Sequence, residues 1–308
     1  MGGAELEQRA SDAFAWGDFK ALEQLYLQAL GWRMDDGSAA ARRVRDGISR
    51  WSDVSDADPR YLMEVFAQTR AWVEEFPQSP LAHAVHVGTM VDIAWVHRGS
   101  GYARTVTPEG WRLLREWLEA AQRHMATHAP VIRRDPWYGA LMLSIGRGLG
   151  WTDAAMQAAF EQAAQAHPHE DATYFSALRN QLPKWGGDAA ELHRYVQQVV
   201  RMTSAHWGTS WYARLYGEAA DEEFSHSLFE DSLARWPELQ AAQREMISRF
   251  PSRSRWSKLA YFACLAKDVA VLREALEQAG PQPDVDAFGD NARRTLEACQ
   301  RLAQAAVR

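Results

Sequence analysis

Cysteine and lysine are scarce in this chain, and long apolar runs and strand-like alternation are missing. Each shortage excludes something. Two cysteines, Cys264 and Cys299, cannot build the dense framework of a small disulfide-stapled domain, and they do not supply the paired Cys-x-x-Cys of a zinc knuckle. With neighbours such as Ala263, Leu265 and Ala298, both read as small core hydrophobes of a reducing compartment, so a cytoplasmic location is expected. No apolar run approaches the roughly 20 residues that a bilayer span requires, and no membrane association is expected. The opening MGGAELEQRASDAF has no basic head followed by an apolar core, which argues against a secretory leader. Leu6 stands where a myristoylation signal needs Ser or Thr.

Lysine is confined to Lys20, Lys184, Lys258 and Lys267, and the formal charge is −6. Phosphate neutralisation needs a concentrated positive surface, so nucleic acid is not an expected partner. The motifs of the common catalytic sites are also missing. There is no His-Glu-x-x-His, no Gly-x-Ser-x-Gly elbow, no phosphate-cradling glycine loop and no dinucleotide fingerprint. No cofactor is expected. His83 and His86 lie three apart on one helix, and His167, His169, Glu170 and Asp171 cluster in a joint, but neither group offers a complete ligand set and no metal is assigned.

What is present is helix. The chain has 308 residues, 47% hydrophobic and 24% charged, ample for a buried core. A polar residue followed by proline recurs at Asp58-Pro59, Ser79-Pro80, Thr107-Pro108 and Asp135-Pro136. The polar side chain suits an N-cap, and proline suits the first helical position, where an amide would be unsatisfied anyway. Around the centre, Tyr174, Phe175, Leu178 and Leu182 share one helical side until Pro183 ends the helix. Asp188 and Glu191 then form a capping box ahead of the stripe Leu192, Tyr195, Val196, Val199 and Val200.

Helices are predicted over 5–16, 19–30, 39–51, 59–76, 80–97, 108–128, 136–149, 153–166, 171–182, 188–200, 207–216, 222–235, 237–249, 254–266, 269–279 and 287–306. Short joints such as Phe76-Pro77-Gln78-Ser79 and Phe250-Pro251-Ser252 make consecutive helices antiparallel neighbours. The expected fold is all-α without a sheet: antiparallel helix pairs stacked into a tetratricopeptide-like αα-superhelix. No linker interrupts it, so a single domain over 1–308 is expected, weakest near 217–221.

An ordered set of short motifs adds to this. Gly17-Asp18-Phe19 with Leu22 is followed by Phe76-Pro77-Gln78-Ser79-Pro80-Leu81-Ala82 and by the run 94–103. Then come Asp135-Pro136-Trp137-Tyr138, the hinge 182–187 and Tyr212-Ala213-Arg214-Leu215-Tyr216. On these residues the chain resembles the bacterial family catalogued as domain of unknown function 4034, over about 17–217, with 218–308 continuing the array. The resemblance implies an all-helical, repeat-like protein and brings no activity or cofactor with it.

Candidate binding residues come from arginine and aromatic side chains placed near helix ends and turns, the material of recognition hot spots. They are Trp95, Arg98 and Tyr102, Trp137 and Tyr138, Lys184 and Trp185, and Tyr212 and Arg214. Asp92 joins them because it shares a face with Val85, Gly88 and Trp95, where a buried charge needs a partner such as Arg98, Arg104 or Lys184. The expected function is a non-catalytic helical-repeat module that binds a protein or peptide, in the narrower form a bacterial adaptor or an immunity protein neutralising an effector. The alternative is a hydrolase with an acid/base site around Asp92, Asp135 or His167 and His169.

Overall fold

A computed structural model describes residues 2–34, 37–52, 59–99, 103–289 and 291–305. Among them the fold is all-α. No strand forms, and the only β-type pairing is an isolated bridge between Arg33 and Ala39. The chain divides into two compact units, 1–177 and 178–308, although no composition shift marks the division.

The first unit contains α1 (Gly3–Ala15), α2 (Phe19–Ala29), α3 (Ala40–Ser49), α4 (Pro59–Glu75), α5 (Pro80–Arg98), α6 (Pro108–Thr127), α7 (Ala129–Ile132), α8 (Tyr138–Leu149) and α9 (Asp153–Ala166), and α10 (Asp171–Arg179) begins in it. Helix α5 is its axis. Every residue from Leu81 through Val91 is buried, because α3, α4, α6, α7 and α8 all pack against this helix. One side, with Leu81, Ala82 and Val85, closes a core built from Leu6, Phe14, Leu22, Tyr26, Val44 and Trp72. The other, with Ala84, Val87 and Met90, closes a second core with Leu114, Leu118, Met125 and Ile145. A helix hydrophobic all round is what such a position demands, and the polar residues that α5 does bury, His83, His86 and Thr89, must find partners inside.

The helix starts follow the local chemistry. Ser79 accepts from the Ala82 amide, Thr107 from Gly110, Asp18 from Ala21 and Asp188 from Glu191. Asp58 lies outside the described residues. Asp135 departs from the pattern. Its carboxylate accepts from the Trp137 amide at 2.8 Å, so α8 starts at Tyr138 rather than at Pro136.

Two glycines set helix spacing. A Cβ on Gly47 would stand 2.2 Å from the Glu7 carbonyl oxygen, so α1 and α3 touch backbone to backbone. One on Gly88 would stand 2.7 Å from the Trp137 ring, which lies flush on α5.

The second unit contains α11 (Ala189–Trp207), α12 (Ser210–Ala219), α13 (Leu228–Asp231), α14 (Trp236–Arg249), α15 (Arg253–Leu265), α16 (Val269–Ala279) and α17 (Ala292–Ala305). Consecutive members of the series α11, α12, α14, α15 and α16 pack around buried Tyr212, Tyr216, Leu259, Tyr261 and Phe262, with α13 beside the end of α12. The helix predicted over 222–235 does not form as one piece. Residues 220–224 make a π-turn, Ser225 takes a positive φ of 45°, and a 3-10 turn over Ser225–Ser227 and then α13 follow before an extended step into α14. Two tethers fix this region: Glu222 is held by Arg179 and Lys184, and Phe224 and Leu228 turn inward.

The reading of Cys264 and Cys299 as separate core thiols is corrected. They form a disulfide, with Cα atoms 5.5 Å apart, because α15 and α17 pack side by side. A separation of 35 residues gives no hint of that pairing. The bond also removes the argument that unpaired thiols indicate a reducing compartment. Among the described residues no helix is long and apolar enough to cross a membrane.

Candidate functional site

Helices α5 and α6 run antiparallel, so the first turn of α5 meets the last turn of α6. His83 comes from the first and His86 from the turn after it, His124 from the second, and His128 from the residue that closes α6. Spaced by four, His124 and His128 face the same way on the helix surface. The rings of His83, His124 and His128 lie with centroids 4.4–5.1 Å apart, and His86 packs edge-on to His124 at 5.1 Å. His83 is fully buried, while His124 and His128 are half-buried.

Hydrogen bonds fix which nitrogens carry protons. The Pro77 carbonyl, in the turn between α4 and α5, can only accept, so His83 Nε2 donates to it at 3.0 Å. That leaves the His83 Nδ1 lone pair facing His124 Nε2 at 2.8 Å, and His124 donates across the gap. Thr69 gives its one hydroxyl proton to the Phe66 carbonyl, so His86 Nδ1 donates to Thr69 Oγ1 at 2.8 Å. Burial and the neighbouring rings favour the neutral form of His83, His86 and His124. His124 is pushed down to about 3 by desolvation, then by His86, His128 and His83, and His86 to about 4 by desolvation and His83. Burial also lowers His83.

A second buried cluster surrounds Arg45 of α3. Its guanidinium lies 2.7 Å from Glu170 and 4.0 Å from Asp135, and it sits over the Trp137 ring at 5.7 Å. Tyr26 donates to Asp135 at 2.7 Å. Burial works against the Arg45 charge, but Glu170, Tyr26 and Asp135 outweigh it and hold its pKa above the usual value. Burial pushes the Asp135 carboxyl up, opposed by Arg45 and the Tyr26 hydroxyl. The cluster joins α2 and α3 to the starts of α8 and α10. It is a tie between helices, with its carboxylates engaged by groups of the same chain.

The residues singled out in the sequence fall as follows. In the first unit, Asp92 is half-buried and accepts from Ser52 Oγ at 2.5 Å. Each aromatic or arginine candidate there is paired: Trp95 under Arg147, Arg98 over Trp111, Trp137 under Arg45 and Tyr138 under Arg133. Tyr102 lies outside the described residues. His167 donates to the Arg133 carbonyl, and the carbonyl of His169 accepts from Arg33. In the second unit Lys184 bridges to the Glu222 carboxylate at 2.7 Å and Trp185 is half-buried. Tyr212 is buried and accepts from the Arg235 amide, and Arg214 lies 4.0 Å from the centre of the Trp211 ring.

The sequence pattern does not single out His124, His128 or Arg45, and it places Glu170 in a histidine-bearing joint rather than beside Arg45. The signal for the first two was the His-x-x-x-His spacing at the end of a predicted helix, opposite His-x-x-His at the start of its antiparallel neighbour. For Arg45 it was an arginine on the apolar stripe of Ala41, Val44 and Ile48. A scan of family models, a search of curated proteins and a search of solved structures each give no match for this chain.

Proposed function

We propose that this protein is a non-catalytic binding module, an array of helix pairs that docks a protein partner. The reading rests on large apolar side chains left exposed between residues 16 and 32. Trp16 is 87% exposed, Leu27 65%, Leu30 41% and Trp32 42%, all between residues 16 and 32 and all in the first helix pair and the turn that follows it. Contiguous exposed apolar surface marks interaction sites, and the three groups Leu27, Leu30 and Trp32 follow closely along the end of α2 and the turn after it. Indole rings in particular give large contact area at low entropy cost.

The hot spot expected at the arginine–aromatic pairs receives less support, because those side chains are engaged within their own units. The partner is a protein or peptide, and a bacterial adaptor or effector-immunity role is the narrower form of the proposal.

The test is a retention assay on immobilised protein, comparing wild type with Leu27→Ser/Trp32→Ser and with Lys184→Ala/Trp185→Ala. The proposal expects a partner retained in fixed ratio by wild type and lost with the first variant, whose circular dichroism stays native. Equal retention by wild type and the first variant refutes docking at this surface.

A further inference from the structure

We propose that His83, His124 and His128 bind a divalent late transition-metal ion, for which zinc is the test case. Three observations converge on it. One ligand nitrogen from each ring lies within 4.8 Å of the others, across two helices that are otherwise packed tightly together. His83 is already oriented as a ligand: its Nε2 donates to the Pro77 carbonyl, which fixes the tautomer with a bare Nδ1 turned toward the other two rings. That backbone acceptor is the outer-shell partner a metal-bound imidazole normally has. And a proton shared between His83 and His124 would account for only two rings, whereas the His128 ring is brought to 4.4 Å from the first and 4.5 Å from the second.

The chemistry of the donors selects the ion. Neutral imidazoles, without a carboxylate or thiolate in the set, suit zinc, copper or nickel and not calcium or magnesium. A tetrahedral zinc with bonds of about 2.0–2.1 Å needs ligand nitrogens about 3.3 Å apart. The His83–His124 pair, at 2.8 Å, must open slightly, and the widest separation must close from at most 4.8 Å. Rotation of the half-buried His124 and His128 side chains covers both changes. As the ion enters, the proton on His124 Nε2 moves to Nδ1 of the same ring by way of solvent, so each ligand remains neutral and no net charge is transferred. His86 is a positioning residue: its Nδ1 is committed to Thr69, and its ring buttresses His124. With three protein ligands the fourth position is left for water, on the side where His124 and His128 reach solvent.

The experiment uses the full chain without a polyhistidine tag, stripped with chelator, and titrated with zinc sulfate by calorimetry. The expected result is one ion per chain with submicromolar affinity. Loss of outer-shell partners alone costs about 10–100-fold in metal affinity, so His124→Ala and His128→Ala should each weaken zinc by at least about 100-fold. His206→Ala, an exposed histidine of the second unit, should leave it unchanged. His128 is half-buried, so His128→Ala is expected to fold, which keeps the test open if His83→Ala does not; native circular dichroism of His128→Ala is the control. The proposal is overturned if wild type takes up no zinc in the micromolar range, or if His128→Ala and wild type bind it equally well.

Discussion

Replacing Arg45 by methionine should destabilise the first unit by about 3–5 kcal/mol, the usual result of stranding a buried carboxylate by removing its counter-ion. The magnitude follows from the geometry around the guanidinium. One positive charge lies 2.7 Å from Glu170 and 4.0 Å from Asp135, and all three side chains are sealed from solvent. Methionine keeps length and bulk against Trp137 but leaves Glu170 with the Ala172 amide, and Asp135 with the Tyr26 hydroxyl and the Trp137 amide. Urea unfolding followed by circular dichroism is the assay. With a slope of about 2 kcal/mol per molar, the midpoint should fall by about 2 M. A second variant, Arg45→Met with Glu170→Gln, removes the stranded charge and should recover a substantial part of the loss. A midpoint shift below about 0.3 M, on the same slope, would mean that water reaches the carboxylates. Failure of Glu170→Gln to help would likewise refute the reasoning.

Gly47→Ala forces a methyl group against the Glu7 carbonyl, and since backbone cannot rotate away, a loss of at least about 2 kcal/mol in the same urea assay is expected. A wild-type midpoint would show that α1 and α3 separate freely. Cys299→Ser opens a cross-link between residues 35 apart, which chain entropy values at about 4 kcal/mol, read as a lower thermal midpoint of the second unit; a midpoint indifferent to substitution and to reductant would contradict it. In metal-free protein, His86 and His124 are held to about 4 and about 3, against 6.5 in an unfolded chain, so the unfolded state takes up protons first. Their contribution is complete above pH 6.5 and declines as pH falls toward the folded values, because the unfolded state then holds more protons. Thermal midpoints that stay level between about pH 7.5 and about pH 5 would exclude this, because the fall develops below pH 6.5.

What the sequence revealed was what depends on neighbours along the chain. Ser79, Thr107, Asp18 and Asp188 cap their helices as expected, because a cap needs only a side-chain oxygen and an amide three residues away. The segment 222–235 has helical composition but departs from a single helix where Arg179 and Lys184, distant in sequence, hold Glu222. The histidine cluster was half visible. The spacing of His83 and His86 stands out on one helix, but their meeting with His124 and His128 depends on the register of α5 against α6, which no local pattern encodes. Likewise the partners of Arg45 come from residues 26, 135 and 170, and only tertiary packing assembles them. The arginines and aromatic rings did pair, yet with one another inside each unit, since a guanidinium stacked on an indole satisfies a helix surface as readily as it does a ligand.

The bond between Cys264 and Cys299 turns residues 264–299 into a closed covalent ring that carries α16 and the connection after it. Pro281 and Gln282 are exposed on that connection. A protease that cuts there opens the ring but frees no fragment: the two pieces migrate as one species on a gel until a thiol reductant parts them. Maps of cleavable peptide bonds in this part of the chain therefore have to be read from reduced samples.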